Sequence, residues 1–138
     1  MNREELIAKI KDQDFPHGSY VVYGSGPLAA ARIRETDDID LFVSARLYDF
    51  LKEQGWHEKE RADGTHSLEH KNFEVFTQWK IGSYNPRLEH LFASADVING
   101  VPFVNLHEVR TWKKVMGRPK DWRDIELIDR YMAKKGWA

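Results

Sequence analysis

The sequence has no cysteine. That excludes a disulfide scaffold, thiolate metal sites and a cysteine nucleophile. It has almost no net charge: 21 Lys and Arg against 22 Asp and Glu leave −1 with histidine neutral. A dedicated nucleic-acid coat or membrane-surface binder carries a large basic excess, which the chain as a whole lacks. It has no apolar run near the roughly 18–20 residues that a spanning helix needs. The first residues, MNREELIAKIKDQDF, carry mixed charge and no apolar h-region, so no secretion signal is expected there. The expectation is a soluble cytoplasmic protein with no membrane partner.

What is present is enough for a folded core. Of 138 residues, 41% are hydrophobic and 12% aromatic, which excludes intrinsic disorder. A chain of this length is expected to form one domain over residues 1–138, with its core in 18–105 and terminal helices in 106–135. Leu6, Ile7 and Ile10 are at helical spacing within 3–12, and Asp14, Pro16, His17 and Gly18 break the pattern. Tyr20–Tyr23 and Ile39–Val43 read as buried strands. Between them Gly24-Ser25-Gly26, Pro27 and an alanine-rich run predict a short helix to Arg34.

Ala45–Gln54 predicts a helix stopped by Gly55. Trp56–Glu60 and Ser67–Lys71 predict paired strands around Asp63-Gly64, and Phe73–Trp79 a further strand. Pro86–Ala95 predicts a helix, and Val97–Val104 a hairpin around Asn99-Gly100. Leu106–Met116 predicts a helix ended by Gly117, and Pro119–Lys135 a last one with the stripe Trp122, Ile125, Ile128 and Met132. Strands and helices alternate, so the expected class is α/β (α+β), with one mixed sheet flanked by helices.

Three acidic residues lie where strands are predicted. Asp38 and Asp40 alternate with Ile39, Leu41 and Val43, so both carboxylates project to one face of a strand. Two carboxylates that close raise each other's pKa unless a cation lies between them. Mg²⁺ suits such a pair, because it is commonly held by one or two carboxylates plus substrate phosphates. Glu74, inside the apolar run Asn72–Phe76, can join the same pocket if its strand neighbours the first. Gly24 and Ser25 stand between a strand and a helix, where backbone N–H groups and a hydroxyl favour phosphate. The turn is neither a Walker A loop nor a GxGxxG fingerprint.

The order of these pieces carries a resemblance. Val22-Tyr23-Gly24-Ser25, then residues 26–37, then Asp38-Ile39-Asp40-Leu41 is similar to the motif of the nucleotidyltransferase superfamily with the DNA polymerase beta-like fold. The run from Trp112 to Ile125, with Lys113 on one helix before Arg118-Pro119-Lys120-Asp121 and Asp124-Ile125, resembles small AbiEii-like and lincosamide-nucleotidyltransferase-like minimal domains. The resemblance covers about residues 20–44, 72–79 and 97–130; nothing in 45–71 is diagnostic.

The resemblance implies transfer of a nucleoside monophosphate from a triphosphate, such as ATP, to a hydroxyl, with release of pyrophosphate. Asp38 and Asp40, with Glu74 as the third carboxylate, would hold Mg²⁺ or Mn²⁺ and carry the catalysis. Gly24, Ser25, Lys113 and Lys120 would contact the nucleotide, and Arg118 is a further phosphate or acceptor contact. The acceptor is open: a small molecule, a protein or an RNA. A homodimer or a partner protein would complete the acceptor side in so small a chain.

Other readings compete. The domain could be a non-catalytic nucleotide-binding or antitoxin-like interaction module on the same fold. Lys113, Lys114, Arg118, Lys120 and Arg123 could form a nucleic-acid patch, against the neutral balance of the chain. Lys120 and Asp124 are i,i+4, so a surface salt bridge is the alternative for both. Of the six histidines only His66 and His70 have i,i+4 spacing, in a strand or loop rather than a helix, which argues against zinc. The five tryptophans read mainly as core and edge anchors, with Trp79 placed to line the pocket.

Overall fold

A computed structural model describes residues 1–137. In chain order the elements are α1 (Arg3–Asp12), β1 (Tyr20–Tyr23), α2 (Gly26–Ala30), β2 (Ile39–Val43), α3 (Ala45–Glu53), β3 (His57–Glu60) and β4 (His66–His70). They continue with β5 (Phe73–Phe76), α4 (Leu88–Ala93), β6 (Asp96–Ile98), β7 (Val101–Phe103), α5 (Leu106–Met116) and α6 (Pro119–Lys135). The strands form one mixed sheet in the order β3-β4-β5-β2-β1-β7-β6. β2 runs parallel to β5 and β1 parallel to β7, while the other neighbours are antiparallel.

The alternation of the central strands separates two apolar layers. Tyr20, Val22, Ile39, Leu41, Val43, Leu68, Phe73 and Val75 face α1 and α3, burying Leu6, Ile7, Ile10, Leu47 and Leu51. The N-terminal helix therefore belongs to the core, which extends beyond the 18–105 expected. Val21, Tyr23, Phe42 and Phe76 face the other way, against Leu91 of α4, Val109 and Trp112 of α5, and Ile128 and Met132 of α6. Asp40 and Glu74 are on this second face, aligned with each other across the β2–β5 pair.

Three predicted elements differ in extent by two residues or more. α2 ends at Ala30 rather than Arg34 because Ile33 N–H donates to Leu28 O (2.9 Å) and Arg32 N–H to Ala29 O (3.0 Å), with Arg32 at φ +60°. This Schellman closure puts arginine where glycine is usual, at a cost of about 1–2 kcal/mol. β5 ends at Phe76 rather than Trp79, and α4 begins at Leu88 rather than Pro86. In α6 the inward face starts at Asp121 and runs through Asp124, Ile125, Ile128 and Met132. Trp122 therefore points outward, 49% exposed, and its indole N–H donates to Gly117 O at 3.1 Å.

Candidate active site

β1 leads directly into the site. Tyr23 pairs with Asp40, so Gly24 passes beside the Asp40 carboxylate. Gly24 has φ +62°, and a Cβ built there would sit 2.3 Å from Asp40 Oδ2. Both the backbone conformation and the close approach require glycine at this position. Ser25 follows as the cap residue of α2, with no side-chain bond to the helix. Its Oγ accepts a hydrogen bond from Arg34 Nη2 at 2.9 Å.

A cavity of about 320 Å³ opens over this turn. Gly24, Ser25, Asp38 and Asp40 line it with Lys113, Lys120, Arg118, Arg34 and Trp79. The structure thus brings together seven of the eight residues to which the resemblance gave a role, Arg118 among them. Asp38 lies one residue before β2 and is exposed; Asp40, inside β2, is half-buried. Burial, reinforced by the charges of Glu74 and Asp38, pushes the Asp40 carboxyl up to about 6, against the opposing charges of Arg61 and Lys113.

Glu74 is the eighth, and it does not line the cavity. Its strand does neighbour β2, as the sequence argument required. Its Oε2, however, accepts a hydrogen bond from Ser67 Oγ at 2.7 Å and lies 3.5 Å from Lys59 Nζ. Ser67 and Lys59 come from β4 and β3, a region with no diagnostic signal in the sequence. Among the described residues no three His, Asp or Glu side chains converge closely enough to enclose a metal ion.

The basic wall is organised by charge pairing. Lys113 Nζ lies 2.8 Å from Asp124 Oδ2 and 3.8 Å from Asp121 Oδ1. All three residues are buried, with 2%, 5% and 0% of their surface exposed. Asp124 also accepts two bonds of 2.8 Å from Arg34, and Asp121 is held by Arg118. Burial alone would raise both carboxyls; the bonds from Arg34 and Lys113 to Asp124, and from Arg118 to Asp121, outweigh it and hold both below the usual carboxylate value. Asp124 is thus committed to Arg34 and Lys113, not to Lys120 as the i,i+4 alternative has it. Lys120 stays exposed at the cavity mouth.

Sequence reasoning missed Arg34, because a helix continued to residue 34 would turn it elsewhere. The early stop of α2 at Arg32 returns the chain toward the cavity. It also missed Arg61, whose guanidinium carbon lies 4.2 Å from the centre of the Trp79 ring. The indole nitrogens of Trp79 and Trp112, both on cavity-lining residues, are buried without a hydrogen-bond partner.

No protein-family model matches the chain, and no curated protein matches it. Among solved structures, that of ANT(2")-Ia in complex with adenylyl-2"-tobramycin is similar to it. The likeness has a TM-score of 0.50 and 16% identity, over 95% of this chain and 86% of that one. The fold is nucleotidyltransferase-like. At this identity the likeness bears on architecture, and the chemistry rests on the residues. Among the described residues no helix is long and apolar enough to cross a membrane.

Proposed function

We propose that this protein is a Mg²⁺- or Mn²⁺-dependent nucleotidyltransferase that moves a nucleoside monophosphate from a triphosphate to a hydroxyl group. The observation that carries the reading is one cavity in which Asp38 and Asp40 meet the Gly24–Ser25 turn and four cationic side chains: Arg34, Lys113, Arg118 and Lys120. Carboxylates and cations lining one cavity suit a triphosphate whose charge is shared between a metal ion and the protein. The likeness to a structure bound to an adenylyl adduct supports ATP as the first nucleotide to test.

The residues present fit a divalent ion. Asp40 has its carboxyl raised to about 6 by burial and by two neighbouring carboxylates, a field that a cation there would relieve. Asp38 and Asp40 would hold it, and its charge would stabilise the reacting phosphate oxygens. The remaining work falls to the chain. Lys120 and Arg118 meet the phosphates at the cavity mouth, and the Ser25 hydroxyl, oriented by Arg34, donates to one of them. Gly24 admits the phosphate close to the backbone.

On this reading Glu74, paired with Asp40 across β2–β5 and with both its contacts on Oε2, would turn Oε1 toward the cavity to take the proton of the acceptor hydroxyl. The acceptor oxygen then bonds to the α-phosphorus, the bond to the bridging oxygen breaks, and pyrophosphate leaves. One observation favours a second reading, a non-catalytic nucleotide-binding module: Glu74 is engaged outside the cavity.

Calorimetric titration of the four ribonucleoside triphosphates with Mg²⁺, on wild type and on the Asp38→Ala/Asp40→Ala variant, tests the proposal. Metal-dependent binding lost in the variant is the expected result. Binding that survives the double substitution refutes the metal assignment. Binding lost as expected, with no pyrophosphate released across an acceptor screen, favours the module.

A further inference from the structure

The sheet register assembles a cation site that needs no metal. β2–β5 pairing sets Asp40 beside Glu74, β4–β5 pairing sets Glu69 beside Glu74, and β3–β4 pairing sets Lys59 beside Ser67. All these side chains share the sheet face that carries Asp40. Lys59 Nζ is ion-paired with Glu69 Oε1 and lies 3.5 Å from Glu74 Oε2. Ser67, fully buried, donates to the same Glu74 oxygen at 2.7 Å. Glu74 is therefore already bonded by Ser67, and it shares the Lys59 charge with Glu69, through residues that do not line the cavity. Among the described residues Asp38 and Asp40 form no ion pair; the cations whose charges reach Asp40 are Arg61 and Lys113.

We propose that Lys59 is the built-in counter-ion of Glu74, its ammonium supplying positive charge that a second divalent ion would otherwise bring to that carboxylate. The inference rests on the functional reading above and specifies its metal stoichiometry. The free protein loads one divalent ion, on Asp38 and Asp40. A second ion gains Glu74 as a ligand only when Lys59 withdraws toward Glu69. Lys59 is a positioning residue here: it fixes the Glu74 carboxylate and its charge, and touches no reacting atom. An ammonium is a compact, strongly hydrated point charge on a flexible stem, which suits a counter-ion that can move aside.

Mn²⁺ binding to the nucleotide-free protein, counted by paramagnetic resonance of the remaining free ion, tests this without reference to activity. Wild type is expected to bind one Mn²⁺ per chain, lost in Asp38→Asn/Asp40→Asn. Lys59→Met is expected to bind a second Mn²⁺ at least tenfold more tightly than wild type does. Glu74→Gln placed on Lys59→Met is expected to abolish that gain, and Lys59→Arg, which keeps the charge, to behave as wild type. Lys59 is partly exposed, and Lys59→Gln provides a second neutral variant should Lys59→Met lose its thermal transition.

Equal stoichiometry and affinity in wild type and both neutral variants, with the Asp38/Asp40 site intact, overturns the role of Lys59 and leaves the functional reading standing. Mn²⁺ binding that the Asp38/Asp40 substitutions do not weaken overturns the functional reading, and this inference with it.

Discussion

Asp40→Asn should make the metal-free protein more stable at neutral pH. In the folded state its carboxyl is raised from 3.8 to about 6 by burial, Glu74 and Asp38. Each pKa unit corresponds to about 1.4 kcal/mol, so full ionisation costs the folded state up to about 3 kcal/mol. Asp40 is only half-buried, and solvent screening reduces this to about 1.5–2 kcal/mol.

The sign follows from the direction of the shift. A carboxyl raised on folding binds protons more tightly in the native state, so stability falls as pH rises from the unfolded pKa to the folded one. Below pH 3.8 both states are protonated and no penalty exists; above about 6 it is complete. Asn removes the charge, so its advantage should be absent near pH 3.5, grow between pH 4 and 6, and be constant above. With about 2.1 cal/mol/K of unfolding entropy per residue, the gain is about 5–7 °C in Tm at pH 7.

Thermal unfolding followed by circular dichroism from pH 3.5 to 8, with chelator present, reads this directly. Added Mg²⁺ should raise the midpoint of the wild type at pH 7 and leave that of Asp40→Asn unmoved. An Asn variant no more stable than wild type at pH 7, or one whose advantage is the same at every pH, refutes the argument.

Three further substitutions test the last two helices. Lys113→Met leaves Asp124 and Asp121 buried with one partner fewer, and should cost about 3–5 kcal/mol in urea denaturation. In α6, Trp122→Ala should cost under about 1 kcal/mol and Ile128→Ala about 2–5, because the first side chain is exposed and the second fully buried. Similar losses in a urea titration of the two variants would show that the helix presents the other face.

Most of the fold was legible because local signals and burial agree in it. Every predicted strand and helix is present; the misplaced boundaries fall where tertiary contacts outweigh local pattern. Arg32 takes a left-handed conformation that its side chain does not announce, and Glu4 holds its guanidinium. Trp122 matched an apolar stripe, yet two aspartates took the inward positions. An apolar count places tryptophan inside, and only knowledge of the cations opposite places Asp121 and Asp124 there. The face of Asp40 was readable because strand alternation fixes it without any partner; Asp38, one residue before β2, joins it in lining the cavity.

Glu74 shows why a pattern along one strand does not fix a carboxylate's role. Its strand register beside Asp40 could be anticipated, but its hydrogen bond and ion pair come from β3 and β4, whose sequence is unremarkable. The same asymmetry runs through the cavity. Its cationic wall is not a set of free charges: Lys113 and Arg34 are bound to Asp124, and Arg118 to Asp121. On the proposed reading a triphosphate entering there would meet Lys120 at the exposed end and the other cations already paired. Binding must then either add phosphate contacts around those pairs or loosen α6 from Ser25 through Arg34. The second route would couple the nucleotide to the position of the last helix, because the Arg34 guanidinium spans both.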